Sequence, residues 1–310
     1  VRKFSLILAW LVVALIFAVL RPTAFLSIDN MASIFGSQAV LVVLSLAMVV
    51  VMRVGEFDLA VAAIMVDASC LLCVMDVEYG VPPLLAVTIT LVAGAAVGLV
   101  SGTIIVRFGV DSFIATLGVQ TILQGIGLWI THGGATIVGL SSVYVDVIVS
   151  GRIAGIPLEF YYAVVLMLIM TYVFRYTVLG RRLLYVGKNK EVARLSGINV
   201  GRVKVGAFVT TGALAALAGI LLAGTSASAN AASGLSYLLP TFAACYLGAT
   251  TSTSGEFTPL GTLIAVYFLV TGTAGLAIIG VPSSVQLAFY GGALILAVAA
   301  SAALSRRRIA

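Results

Sequence analysis

An ionisable or amide side chain inside an apolar run is a candidate for chemistry, because neither lipid nor protein interior offers it water. Asp58 and Asp67 lie in an apolar run that follows Gly55-Glu56. Holding a charge at the centre of a membrane helix costs about 2.5–3.5 kcal/mol on insertion scales, so such residues are functional candidates by default. Asp58 has two readings. It can cap a helix that breaks near 55–60 by accepting from freed backbone N–H groups, or it can line a solute path. Asp67 lies deeper in the run, where it either pairs with a neighbouring helix or faces the path. In another run Thr116, Gln120 and Gln124 recur every fourth residue, with Thr121 beside them. On a helix the three share one face. They serve either as hydrogen bonds between helices or as a weakly polar stripe facing a water-filled cavity. Neutral donors and acceptors of this kind suit a polyhydroxy solute.

Other chemistries find no residues. The chain has no G-x-x-x-x-G-K-[ST] phosphate loop, and Gly187-Lys188 lacks the upstream glycine. It has neither H-E-x-x-H nor G-x-S-x-G, so no catalytic residue and no metal ligand is assigned. Cys70, Cys73 and Cys245 all fall in apolar runs, away from the electropositive, exposed setting that makes a reactive thiolate, and read as packing residues. His132, just before Gly133-Gly134, reads as a solvated loop residue. The basic residues do not interleave with aromatics in a long polar segment, so nucleic acid is not an expected partner.

The segment 175–204 carries eight basic residues and one acid, Glu191. Part of that charge is a membrane-side anchor. The rest of the pattern is local structure. Asn189 is placed as a helix N-cap with Glu191 in the first turn, and Gly197 is placed to end the helix in a left-handed conformation. The spacing predicts a short helix over 190–196, with Val192, Leu195 and Ile198 as apolar knobs. Caps and knobs suit a stiff element that pushes on a moving partner; a loop that only held charge would need neither.

The elements that must position these residues follow from composition. The chain of 310 residues is 62% hydrophobic and only 9% charged, against roughly 25% charged in soluble domains. Lipid is therefore its solvent, and no polar stretch exceeds about 30 residues, too short for an aqueous domain. Apolar segments fall at about 5–20, 33–52, 57–75, 82–106, 113–131, 157–174, 205–224, 237–250, 259–280 and 283–304. Each greatly exceeds a barrel strand of about 10 residues, so helices are the spanning form. The expected fold is an all-α polytopic membrane protein: about ten transmembrane helices, one broken near 55–60, in a single domain, 1–310. The loop 175–204 joins the sixth and seventh spans. The start, Arg2-Lys3 and an apolar run to Leu20, resembles a signal peptide. Arg21-Pro22 stands where a small-x-small cleavage site would be, so the run is expected to stay as a first span. With both termini cytoplasmic, fifteen of the seventeen Lys and Arg fall on the cytoplasmic side, leaving only Arg21 and Arg152 outside. Gly94, Gly98 and Gly102 put a small-residue stripe on one helix, for packing inside the chain or for a dimer seam.

The basic segment resembles the EAA-type cytoplasmic coupling loop of bacterial ABC importer permeases. It is close to the ribose and simple-sugar branch of the superfamily shared with branched-chain amino acid permeases. That branch shows GRxxYAxGxNxxAARLSGINVxRVK. This chain matches it at Gly180, Arg181, Gly187, Asn189, Ala193, Arg194, Leu195, Ser196, Gly197, Ile198, Asn199, Val200, Arg202, Val203 and Lys204, with Tyr185 one place beyond the pattern's tyrosine. Residues 55–61 resemble the family's GGIDLSVG, keeping Asp58 and departing at Glu56, Ala60 and Ala62. Residues 112–118 resemble FIATLG, and 247–262 resemble LGGTS…GTLIGA. The resemblance implies a permease subunit of the bacterial cytoplasmic (inner) membrane. Asn189, Glu191, Ala193, Arg194, Leu195, Ser196, Gly197, Ile198 and Asn199 would couple it to a cytoplasmic ABC ATPase. It also implies a second permease subunit, copy or paralogue, and an external solute-binding protein. ATP and Mg would be used by the ATPase, with no cofactor in this chain. The implied cargo is a monosaccharide or related polyhydroxy solute. An amino acid or nucleoside permease, or a stand-alone ion-coupled transporter using Asp58 or Asp67, are the alternatives.

Overall fold

The computed structural model describes residues 5–36, 38–134, 136–153, 155–252 and 255–306. The basic residues Arg2, Lys3, Arg307 and Arg308 lie outside the described residues. In chain order the helices are α1 Ser5–Leu20, α2 Pro22–Phe25, α3 Ile28–Phe35, α4 Ala39–Arg53, α5 Val61–Val77, α6 Pro83–Phe108 and α7 Ser112–Ile130. Then follow α8 Ser142–Val145, α9 Leu158–Tyr176, α10 Val178–Lys188, α11 Lys190–Leu195, α12 Val200–Ser226, α13 Leu235–Thr250, α14 Pro259–Ile278 and α15 Ser283–Arg306. A π-helical turn, Asp146–Ser150, continues α8. The strands among the described residues are two-residue pieces: β1 Ile137–Val138 pairs antiparallel with β4 Ser228–Ala229, and β2 Arg152–Ile153 with β3 Ile156–Pro157.

Each apolar segment read from the sequence falls on a helix, though the bounds shift. The helix of the third apolar segment, α5, begins at Val61 rather than 57, because 54–60 leaves helical geometry. Among the described residues, six helical stretches are long and apolar enough to cross a membrane: Ile28–Arg53, Pro83–Phe108, Ser112–Ile130, Leu158–Tyr176, Val200–Ser226 and Pro259–Ile278. Their ends are written locally. Pro83 opens α6 and Gly109, at φ 66°, closes it in the left-handed region. Asp111 caps α7 by accepting from Phe113 N at 2.9 Å, and Asn199 caps α12 by accepting from Arg202 N at 3.0 Å.

The chain folds into two compact units. The first comprises residues 1–46, 152–171 and 239–310. In it α1 packs on α14: the Phe17 ring covers Gly275, and Trp10 Nε1 donates to Thr271 Oγ1 at 2.8 Å. The Tyr267 hydroxyl donates to the Phe35 carbonyl at 3.2 Å. Cys245 is buried, with its thiol on the Ser45 carbonyl at 3.4 Å, consistent with a packing residue.

The second unit, residues 47–151 and 172–238, holds the candidate site. Its centre is α5. Thirteen of the 17 residues of α5 are buried, Cys70 and Cys73 among them, so this helix has no lipid-facing stripe. By contrast Leu84, Val92 and Leu99 on α6, and Ile114, Ile122 and Trp129 on α7, point outward. Glycine makes this burial possible. A Cβ at Gly98 of α6 would strike the Phe208 carbonyl of α12, and one at Gly94 would strike the Gly212 carbonyl. A Cβ at Gly102 would lie 3.0 Å from the Val205 Cα, and one at Gly219 of α12 would strike the Met65 carbonyl of α5. The Gly94-Gly98-Gly102 stripe is therefore an α6–α12 seam inside the chain, where backbones meet without side chains between them.

Overpacking such a seam costs about 1–3 kcal/mol or more. Gly98→Leu should lower the melting temperature of the detergent-solubilised protein by about 2 °C or more. Gly118→Leu, where a side chain meets open space, should leave it unchanged. Equal melting temperatures for the two variants would refute the seam.

Candidate functional site

Where α4 ends and α5 begins, the chain must leave the helix without stranding amides. Gly55, at φ 75°, makes the first turn away from α4. The freed N–H groups then find side-chain acceptors. Phe57 N donates to Ser112 Oγ at 3.1 Å, and Leu59 N donates to Thr116 Oγ1 at 3.0 Å. Ala60 N donates to Asp58 Oδ1 at 2.9 Å. Two acceptors come from the first turns of α7 and one from the break itself. Asp58 thus accepts from one backbone N–H freed at the break, just ahead of α5, and Thr116 is bound into the same arrangement. Both are completely buried, and Asp58 Oδ2 has no hydrogen-bond partner.

Glu56 sits in the same break, almost fully buried. Its carboxylate accepts from Lys190 Nζ at 3.1 Å and from Lys204 Nζ at 2.5 Å. Burial alone would raise the Glu56 carboxyl. The Lys204, Ser112 and Lys190 donors together outweigh that and hold it below its ordinary value of 4.5. Its partners stand 134 and 148 positions away in sequence, and pairing over that separation leaves no local signal. The one clue was an acid beside Gly55 in apolar surroundings.

The basic segment is more helical than expected. It contains α10, which the sequence reading did not anticipate, as well as α11. Thr177 caps α10, its hydroxyl accepting from Gly180 N at 3.3 Å. Gly187 lies directly on the Arg53 carbonyl, with no room for a side chain. The backbone of α10 therefore rests on the end of α4. The helix expected over 190–196 is Lys190–Leu195, with Ser196 as its C-cap. Asn189 Oδ1 accepts from Glu191 N and Val192 N at 3.0 and 3.1 Å. At the other end Gly197, at φ 78°, donates to the Arg194 carbonyl, and Ile198 N donates to the Ala193 carbonyl, both at 3.0 Å. That pair of bonds is a Schellman motif. Ser196 Oγ donates to the Val192 carbonyl, and Glu191 pairs with Arg194 at 2.8 Å on the exposed face. Ala193 is buried beneath the helix, while Val192 is 56% and Leu195 86% exposed. Asn199, grouped with the coupling residues in the sequence, caps α12.

Asp67, Gln120 and Gln124 meet elsewhere. A cavity of about 230 Å³ lies between α5, α7 and residues 231–234, lined by these three with Ala62, Ala63, Val66 and Leu128. Gly127 of α7 lies directly beneath the Asp67 carboxylate. Asp67 Oδ2 and Gln120 Oε1 are buried without a hydrogen-bond partner. Two unsatisfied acceptors behind the wall of one largely apolar cavity mark the polar spot among its lining residues. The structure thus divides the candidate path residues: Asp58 and Thr116 serve the break, while Asp67, Gln120 and Gln124 face the cavity. His132 is exposed and reaches Glu78 at 3.4 Å.

If Thr116 works by accepting from Leu59, Thr116→Val should destabilise the protein by about 1–3 kcal/mol, and Thr116→Ser should retain most of the stability. Thermal unfolding in detergent would read the difference, and a valine variant as stable as the serine variant would refute the role.

Comparison with known proteins identifies the family. The family described as branched-chain amino acid transport system / permease component matches residues 30–298. The ribose import permease protein RbsC of Bacillus subtilis (strain 168) is 34% identical over 298 residues, covering 96% of this chain and 92% of that protein. The ribose import permease protein RbsC of Escherichia coli (strain K12) is 31% identical over 296 residues, covering 94% and 91%. The L-arabinose ABC transporter permease protein AraH of Azospirillum brasilense is 29% identical over 309 residues, covering 96% and 87%. No solved structure matches the chain. The match over nearly its whole length means that the chain belongs to the permease-component family of branched-chain amino acid transport systems.

Proposed function

We propose that this chain is the transmembrane subunit of an ATP-binding cassette importer, moving a monosaccharide or related polyhydroxy solute across a bacterial inner membrane. The observation that carries the reading is the joint placement of α11 and the break. A short helix, capped at both ends and presenting Val192 and Leu195 to solvent, belongs to a segment anchored on the break at 54–60. That break opens α5, the helix that carries Asp67 to the cavity. Relatives named as ribose import permease proteins and an L-arabinose ABC transporter permease protein support the sugar class.

In this reading the chain is one transmembrane domain, 1–310, with about ten spans and both termini cytoplasmic. The basic segment then lies on the cytoplasmic face, where the positive-inside rule places it. Val192 and Leu195 of α11 dock on a cytoplasmic ATPase, which binds ATP and Mg and supplies the work; this chain is not itself an enzyme. A second permease subunit completes the path, and an external binding protein delivers the solute. Asp67, Gln120 and Gln124 line the path with weak contacts. Weak contacts are sufficient here, because a tight site would trap cargo already selected outside.

Vesicles containing this chain, its ATPase and its binding protein should take up radiolabelled pentose or hexose only with internal ATP. Uptake driven by a proton gradient with the ATPase omitted would overturn the proposal in favour of an ion-coupled carrier. Leu195→Asp should abolish uptake while insertion is retained. Gln120→Ala should lower uptake severalfold, up to about tenfold, with insertion unchanged, as loss of one polar contact of up to about 1.4 kcal/mol implies. Full uptake in the Leu195 variant would remove α11 from the coupling pathway.

A further inference from the structure

Glu56 stands where the resembled family pattern carries glycine, and an acid is costly to bury without gain. Its carboxylate is shared between two lysines at opposite ends of one segment. Lys190 is the first residue of α11, and Lys204 lies in the second turn of α12, beyond the Asn199 cap. Lys204 is nearly as enclosed as Glu56, whereas Lys190 is half exposed. The same break residues are bonded to α7 through Ser112 and Thr116, and Gly187 rests on Arg53. Any displacement of residues 190–204 must therefore either carry the break along or separate a carboxylate from two ammonium groups in a poorly hydrated place.

We propose that Glu56 is a positioning residue: it clamps both ends of the 190–204 segment to the helix break, so that α11, the break and the start of α7 move as one body. This inference rests on the importer reading for its consequence, the transmission of force from α11 toward the Asp67–Gln120 cavity. Its structural content stands without that reading. The pairing is electrostatic, one acid facing two bases. A contact that only filled space would tolerate Glu56→Gln, which keeps the shape and removes the charge.

A spin label on Leu195→Cys reports the clamp directly, since the native cysteines are buried. In the purified full chain the label should give the spectrum of a fixed helix. Glu56→Gln should shift it toward a mobile component, and Lys190→Met should give a smaller shift in the same direction. Glu56→Asp, which keeps the charge but shortens the reach, should retain more of the fixed spectrum than Glu56→Gln. In vesicles with the ATPase, Glu56→Gln should lose uptake per ATP hydrolysed, and Glu56→Asp should lose less. An immobile label in both Glu56→Gln and Lys190→Met would overturn the clamp. So would a label as mobile in Glu56→Asp as in Glu56→Gln. Should Glu56→Gln not insert, Lys190→Met decides alone, because its half-exposed side chain is not needed for burial. Failure of the wild-type chain to take up sugar with ATP would sink the importer reading and leave the label result intact.

Discussion

A backbone that leaves the helix inside an apolar surrounding must find a partner for every amide it frees. That constraint organises the second unit of this protein. Between Arg53 and Val61 the amides of Phe57, Leu59 and Ala60 turn to Ser112, Thr116 and Asp58. Satisfying them fixes the start of α7 against the start of α5. Once Thr116 is held there, the helical period carries Gln120 and Gln124 along the same face. That face meets Asp67 across the cavity. The polar residues of the cavity are therefore placed by the hydrogen-bond needs of a break one turn away.

The second dependence is electrostatic. Burying Glu56 is tolerable only because Lys190 and Lys204 arrive with it. The consequence is that a basic segment, which would otherwise be held only by its flanking helices, has a fixed seat. Its own stiffness is local: an asparagine cap, a Schellman ending and one buried alanine leave Leu195 projecting outward. Such an element suits transmission of force, since few of its groups can shift independently.

Close backbone contact is what gives α5 its depth. The glycines of α6 and α12 let carbonyls touch where side chains would otherwise stand. A helix buried on every side can then carry Asp67, whose acidic group is shielded from lipid by the protein around it.

Much of this was legible in the sequence, and the division has a physical cause. Apolar runs identify helices because their length and period are properties of adjacent residues. The α11 caps were readable for the same reason, since Asn189 and Gly197 act within a few positions of themselves. The glycine spacing foretold a close seam, although which helix would fill it, α12, was not written there. For Asp58 and Thr116 the sequence offered both a backbone or interhelical bond and a place on the path, and only the fold showed them bonded to backbone amides. The extra helix α10, the capping role of Asn199 and the Glu56–Lys190–Lys204 cluster were decided by tertiary structure. Residues 134 and 148 positions apart meet only after the helices between them have packed, and no local pattern in an unfolded chain encodes that meeting. Thus residue order by itself determined the membrane character, the helices and the stiff basic elbow, while three-dimensional packing decided which polar groups were satisfied and which were left without a partner.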